Sequence, residues 1–209
     1  MKNSFYFLLV ILFFSCGNAE EKKKLLPYFG PREVSPESEK DTIYHVVPEF
    51  GFLNQDGKFV TQDNFKDKIY IANFFFTSCP SICPKMMTEL KRFRKITDEK
   101  NMDVMIISHT VDPKRDSVET LKRYADKNAI NTEKWHLVTG DKDVIYDLGM
   151  EGYFLSAGED AEADGGFLHS EIVVLVDKEK HIRGLYTGTK TKEIDRLISD
   201  LEILIKEYE

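Results

Sequence analysis

Short apolar runs alternate along the chain with longer stretches whose apolar residues recur at helical spacing, from about residue 42 to the end. Residues 69–76 (Ile-Tyr-Ile-Ala-Asn-Phe-Phe-Phe) and 102–108 read as buried strands, and 136–139 as a third, shorter one. Residues 85–96 carry an amphipathic helical pattern, with Pro84 suited to the first helical position. Residues 116–128 predict a second helix capped by Asp116 or Ser117, and 141–148 a third capped by Asp141. Residues 43–47 alternate weakly, as an opening strand would. Residues 50–60 predict a hairpin turning at Asp56-Gly57. Two more strands, 171–177 and 182–186, flank a turn at 178–181. A last helix follows from Ile194, Leu197, Ile198, Leu201, Leu204 and Ile205. Strand–helix–strand–helix followed by a hairpin and a helix predicts an α/β fold. Its centre is a mixed sheet with helices on both faces, and an N-terminal hairpin extends it.

The first 41 residues do not share this pattern. Met1-Lys2-Asn3 is a short basic start, and residues 5–14 are almost unbroken hydrophobic. That run is shorter than the ~20 residues a membrane span needs, but it suits the core of a signal peptide. Ser15-Cys16-Gly17 follows, resembling a bacterial lipoprotein cleavage site with Cys16 as the lipidated residue. The expectation is a signal peptide over 1–15, a polar, Pro-containing tether over 16–41 and a folded domain over 42–209. The signal peptide implies a domain outside the cytoplasm, and a flexible tether of roughly 25 residues, reaching about 25–30 Å, would hold it close to the membrane.

The 209 residues are 42% hydrophobic and 31% charged, with a net charge of −7. This is the composition of one ordinary globular domain. An acidic chain without a basic stripe excludes nucleic acid as a partner.

Of three cysteines, Cys16 belongs to the expected lipid site, leaving Cys79 and Cys83 in the folded part. They stand in Thr77-Ser78-Cys79-Pro80-Ser81-Ile82-Cys83-Pro84, between the first buried strand and the first helix. A disulfide closing so short a loop removes little entropy from the unfolded chain, so the pair has a weak structural rationale and a stronger chemical one. The helix N-terminus beside Cys83 favours thiolate over thiol. Among the other candidates, Met86 and Met87 sit at core spacing, and His45, His136 and His181 read as structural or exposed. His109 ends a strand, with little to mark it as a ligand. The acidic stretch 159–164 reads as a solvated loop.

This order of elements, with cysteines at the first strand-to-helix turn, resembles a thioredoxin-like fold. The motif at 77–84, the stretch Ser108-His109-Thr110-Val111-Asp112-Pro113 through Asp116, and His169-Ser170 before the strand at 171–177 resemble the Sco (SenC) family. The resemblance implies one copper ion, Cu(I) or Cu(II), held by Cys79, Cys83 and His169; two soft thiolates and an imidazole suit copper. A closed structural zinc site would want a fourth protein ligand. It also implies a metallochaperone that serves the binuclear copper centre of cytochrome c oxidase subunit II or a similar copper protein, with a copper-loading or thiol-reducing partner behind it. The alternative is a membrane-tethered thiol–disulfide oxidoreductase in which Cys79 and Cys83 cycle to keep the target's cysteines reduced. Many family members carry Asp before the histidine, where this chain has Leu168.

Overall fold

The computed structural model describes residues 24–35, 38–160, 162 and 166–209. Cys16 and the expected signal peptide lie outside the described residues. In chain order the strands and helices are β1 (Arg32–Ser35), β2 (Ser38–Tyr44), β3 (Gly51–Asn54), β4 (Phe59–Thr61), β5 (Ile69–Phe75), α1 (Ile82–Glu99), β6 (Val104–Thr110) and α2 (Val118–Asn128). There follow β7 (Trp135–Thr139), α3 (Lys142–Asp147), β8 (Ala157–Glu159), β9 (Phe167–His169), β10 (Ile172–Val176), β11 (Ile182–Thr187) and α4 (Thr191–Glu207).

Seven strands form the main sheet in the order β11-β10-β5-β6-β7-β3-β4. β5, β6 and β7 run parallel, with Ile71 opposite Ile106 and Ile107 opposite His136; the outer pairs are antiparallel. Every residue of β5 is buried, as expected of a central strand covered on both faces. Its alternate side chains serve opposite layers. Phe75 meets Tyr124 of α2 at 5.6 Å between ring centroids, and Asn73 faces Met86 of α1. Phe74 points the other way, toward Tyr153 in the π-helical turn Leu148–Gly152 that continues α3. Helix α4 lies beside α1, tied to it by Arg92, which donates to Asp195 and to the Thr191 carbonyl. Its buried face is Ile194, Leu197, Leu201 and Leu204. Each such side chain contributes about 1.5–3 kcal/mol of burial.

The mixed sheet with helices on both faces matches the pattern of the sequence. The hairpin at Asp56-Gly57 is present: Gly57 takes φ +71°, and Asn54 Oδ1 accepts the amides of Asp56 and Lys58. It is not an appendage, because β3 pairs with β7 and makes the hairpin an edge of the main sheet. Helix α2 is capped by Ser117, whose side chain accepts from Thr120 N, and not by Asp116. Helix α1 begins at Ile82, so Pro84 is its third residue instead of its first. That position is equally tolerant of proline, since amides of the first turn have no partner within the helix. Strand β6 starts two residues later than expected because Met102 N is taken by Thr97 O, the close of the α1 exit turn.

The sequence reading continues the tether to residue 41, whereas the structure has the chain docked from Leu26 onward. Leu26 is 5% exposed, Phe29 N donates to Ile182 O at 2.9 Å, and Tyr28 stacks on Tyr44. Arg183 holds the segment. Its guanidinium donates to the carbonyls of Leu26 and Pro27, pairs with Asp177 and Glu207, and lies 4.2 Å from the Tyr28 ring centroid. β1 and β2 then form a separate hairpin that runs through the residues expected to be tether. No helix among the described residues is long and apolar enough to cross a membrane.

Candidate metal centre

Cys79 and Cys83 sit where β5 gives way to α1, at the end of the sheet where β6 also finishes. The turn between them is narrow: Cys79 N donates to Phe76 O at 3.3 Å, and Cys83 N approaches Cys79 Sγ at 3.5 Å. The loop is fixed from below by Asp116, a fully buried carboxylate. Asp116 accepts from Thr77 N at 3.0 Å, from the Thr77 hydroxyl and from the Thr110 hydroxyl, so one side chain binds the loop to the last residue of β6. Sequence reading places Asp116 as a candidate helix cap at the end of a family-like stretch, with no role at the cysteine loop. Its true partners lie 39 residues upstream and 6 residues upstream, and no local signal marks the first.

The two sulfurs differ in environment. Cys79 is 8% exposed and Cys83 3%. Burial raises the Cys79 thiol, but donors from Cys83 and Ser81 outweigh it and leave the pKa below the ordinary thiol value. Burial drives the Cys83 thiol well above that value, with the neighbouring Cys79 and Asp116 adding to the rise. Cys79 is thus the more readily ionised sulfur. Tyr124 closes one side of the pair, and its hydroxyl is held above the usual range by burial and by the two thiols.

The backbone of His169 ends β9, opposite Ala157 of β8. The side chains of Leu168 and His169 lie outside the described part of the structure. Phe167, two residues earlier, packs on Phe76 at 5.2 Å and lies under the Arg115 guanidinium at 5.4 Å. After it, Ser170 N donates to Ser156 O, and Glu171 O accepts from Gly188 N. Gly188 faces α1 so closely that an added Cβ would stand 3.0 Å from Met86 Cγ. The chain on either side of His169 is therefore packed against residues that flank the cysteine loop.

The other histidines are accounted for elsewhere. His109 is buried on the opposite face of the sheet from α1, ringed by Phe50, Phe52, Phe74 and Tyr153, and neither ring nitrogen has a hydrogen-bond partner among the described residues. Burial lowers its pKa to about 3. His45 bonds Gly152 O, and His136 bonds Asn54. Met86 and Met87 are buried as core.

The SCO1/SenC family pattern matches residues 38–206. The chain belongs to the SCO1/SenC family. It is 30% identical over 164 residues to the SCO1 protein homolog of Bacillus subtilis, covering 78% of this chain and 84% of that one. Among solved structures it resembles a SCO1/SenC family lipoprotein from Bacillus anthracis at 28% identity and TM-score 0.72, over 77% of this chain and 95% of the other. It also resembles BsSco, described as a member of the Sco family of cytochrome c oxidase assembly proteins with a disulfide switch (29%, TM-score 0.69, 77% and 93%). A third likeness is to Arabidopsis thaliana ScoI with copper bound (27%, TM-score 0.65, 78% and 99%). The fold is thioredoxin-like, as the order of elements predicts.

In this Sco-family chain the donor chemistry of the turn fits a soft metal ion: two sulfurs in one short loop, Cys79 the more readily ionised of the two. A second group of potential ligands escaped the sequence reading. Asp177, Glu179 and His181 bring one donor atom each within 4.8 Å at the β10–β11 turn. Their oxygens are already engaged: Asp177 by Arg183 and by the amides of Glu179 and His181, Glu179 by the Tyr208 hydroxyl. That cluster closes a turn and holds Arg183 in place.

Proposed function

We propose that this Sco-family protein is a copper metallochaperone that holds one copper ion through Cys79, Cys83 and His169. It supplies that ion to the binuclear copper centre of cytochrome c oxidase subunit II or a similar copper protein. The observation that carries the reading is the cysteine turn. Two sulfurs four residues apart share a loop locked by Asp116, with the lower-pKa thiol at Cys79. The packing of Phe167 on Phe76 and of Gly188 on Met86 supports a ligand at the end of β9. Relatives of the same fold have been solved with copper bound and are described as oxidase assembly proteins, which agrees with copper as the cargo. Two thiolates and an imidazole accept Cu(I), and Cu(II) if a fourth donor joins. A three-ligand site leaves a position for an incoming thiolate, so the ion passes by ligand exchange. Lipidation at Cys16 would keep the domain near a membrane-bound target outside the cytoplasm and raise its effective concentration there.

A second reading, thiol–disulfide exchange at Cys79 and Cys83, is favoured by the unequal thiols and by the disulfide switch of BsSco. Copper stoichiometry and absorption of the reduced, anaerobically loaded protein beside its His169→Ala variant separate the two. One copper per chain with thiolate-to-copper charge-transfer bands, weakened in the variant, supports the chaperone. Absence of stable copper, with a disulfide that is readily reduced, refutes it and leaves the oxidoreductase.

A further inference from the structure

Beside the sulfurs, a cleft of about 310 Å³ runs between α1 and α2. Cys79 and Cys83 form one end, Tyr124 a wall, and Lys91 and Lys127 the far rim. The two helices leave the cysteine end of the sheet side by side. Side chains on a helix tilt toward its N-terminus, so both lysines lean back toward the thiols, Lys91 from about 12 Å along α1.

The charge of this cleft runs against that of the chain. The protein carries a net −7, yet none of the cleft-lining residues is a carboxylate. On the same helices Arg92 is committed to Glu89 and Asp195, Lys95 to Glu99, Lys122 to Asp126, and Arg123 to Glu119, while Lys85, in the first turn of α1, forms no ion pair among the described residues. Asp116, the carboxylate beneath the cysteine loop, is fully buried and taken up by Thr77 and Thr110. Among the described residues, Lys91 and Lys127 form no ion pair. Two uncommitted, exposed ammonium groups on the rim of a cleft that ends in two sulfurs suit a ligand with a thiol at one point and carboxylates beside it.

We propose that the α1–α2 cleft is the docking site for an acidic, cysteine-bearing peptide segment of the partner, with Lys91 and Lys127 pairing with the carboxylates that flank the partner's thiol. The site deepens the function proposed above and rests on Cys79 and Cys83 being its reacting sulfurs. The lysines steer the approach and set which thiols are accepted, while the cysteines do the chemistry.

The test uses the reduced, metal-free full chain and four 2-pyridyl disulfides. These are made from the tripeptides Glu-Cys-Glu and Gln-Cys-Gln with blocked ends, from mercaptoacetate and from mercaptoacetamide. A protein thiolate attacks the probe sulfur bonded to the thiol fragment, the probe S–S bond breaks, and pyridine-2-thiolate leaves with the electron pair and is counted by absorbance. At low ionic strength the acidic tripeptide should react about 10-fold faster than the neutral one, and mercaptoacetate should gain less, having one carboxylate for two lysines. Molar salt should erase the preference. Lys91→Glu with Lys127→Glu should invert the ratio of the acidic tripeptide's rate to the neutral one's, each read in the same variant. Lys66→Glu with Lys206→Glu, the same change in net charge at exposed positions at the other end of the sheet, should leave the preference intact.

Equal rates for the two tripeptides, a preference indifferent to the Lys91/Lys127 reversal, or one moved equally by the distal pair would overturn the proposal. A gain for mercaptoacetate as large as the tripeptide's would replace the peptide with a small thiol acid. Failure of every probe to react would remove the cysteines as a thiol-exchanging centre and with them this site, whereas the copper measurement above decides the proposed function.

Discussion

His109 makes the stability of this protein sensitive to mild acid. Its imidazole is fully buried among four aromatic rings, the nearest being Phe74 at 5.1 Å, and its nitrogens meet no partner among the described residues. The titratable group facing it, Tyr153, and Tyr70, whose hydroxyl meets that of Tyr153, are buried phenols with pKa values above their ordinary range, so neither supplies an anion to stabilise an imidazolium. The folded state therefore holds His109 neutral down to about pH 3, against 6.5 for the group in an unfolded chain. A depressed folded pKa means that the stability is fully present above pH 6.5 and is lost as pH falls toward 3, because the unfolded state takes up the proton first. At pH 5.0 the linkage amounts to about 2 kcal/mol, and below pH 3 it approaches about 5 kcal/mol.

Urea unfolding of the native chain and of His109→Leu at pH 7.5 and 5.0 measures this directly. Paired carboxylates also titrate over that interval, but equally in both proteins, so they cancel in the difference. At pH 7.5 the variant gives up ring contacts and sheds two unsatisfied buried nitrogens, terms that partly offset. Between the two pH values, the stability of the native chain should fall relative to the variant by about 2 kcal/mol. A native-minus-variant difference that is the same at both pH values would refute the reasoning.

Two further substitutions test the supports of the site and of the N-terminal segment. Asp116→Ala leaves the Thr77 amide and the hydroxyls of Thr77 and Thr110 without their acceptor, and should cost about 3–5 kcal/mol in urea unfolding, with Asp116→Asn costing less than half of that. Arg183→Ala leaves Asp177 and Glu207 without their cation and should cost about 3–5 kcal/mol. It should also speed hydrogen exchange at the amides of Leu26 and Phe29, while Arg183→Lys, lacking the planar fork, restores only part of the protection.

The parts of the fold legible in the sequence are those that local pattern dictates. A short apolar run rich in β-branched and aromatic residues, interrupted only by Asn73, points to a buried strand, and Asp56-Gly57 to a turn. The cysteine turn is legible for the same reason: it is bounded by an apolar strand and an amphipathic helix, both visible without the rest of the chain. What stayed hidden is held by contacts between distant residues. Leu26 and Pro27 read as tether because their short apolar stretch, 25–29, is too brief to show a period and lies between a charged run and a Pro-, Ser- and Glu-containing segment. They are fixed by their carbonyls to Arg183, more than 150 positions away, and a backbone carbonyl leaves no trace in a sequence. Asp116 shows the same effect inside the site. Read locally, it is one of two candidate caps, and the neighbouring Ser117 takes that role. Its carboxylate instead spans from the base of the cysteine loop to the end of β6, so the loop that carries the chemistry takes its rigidity from a residue that its own sequence does not contain.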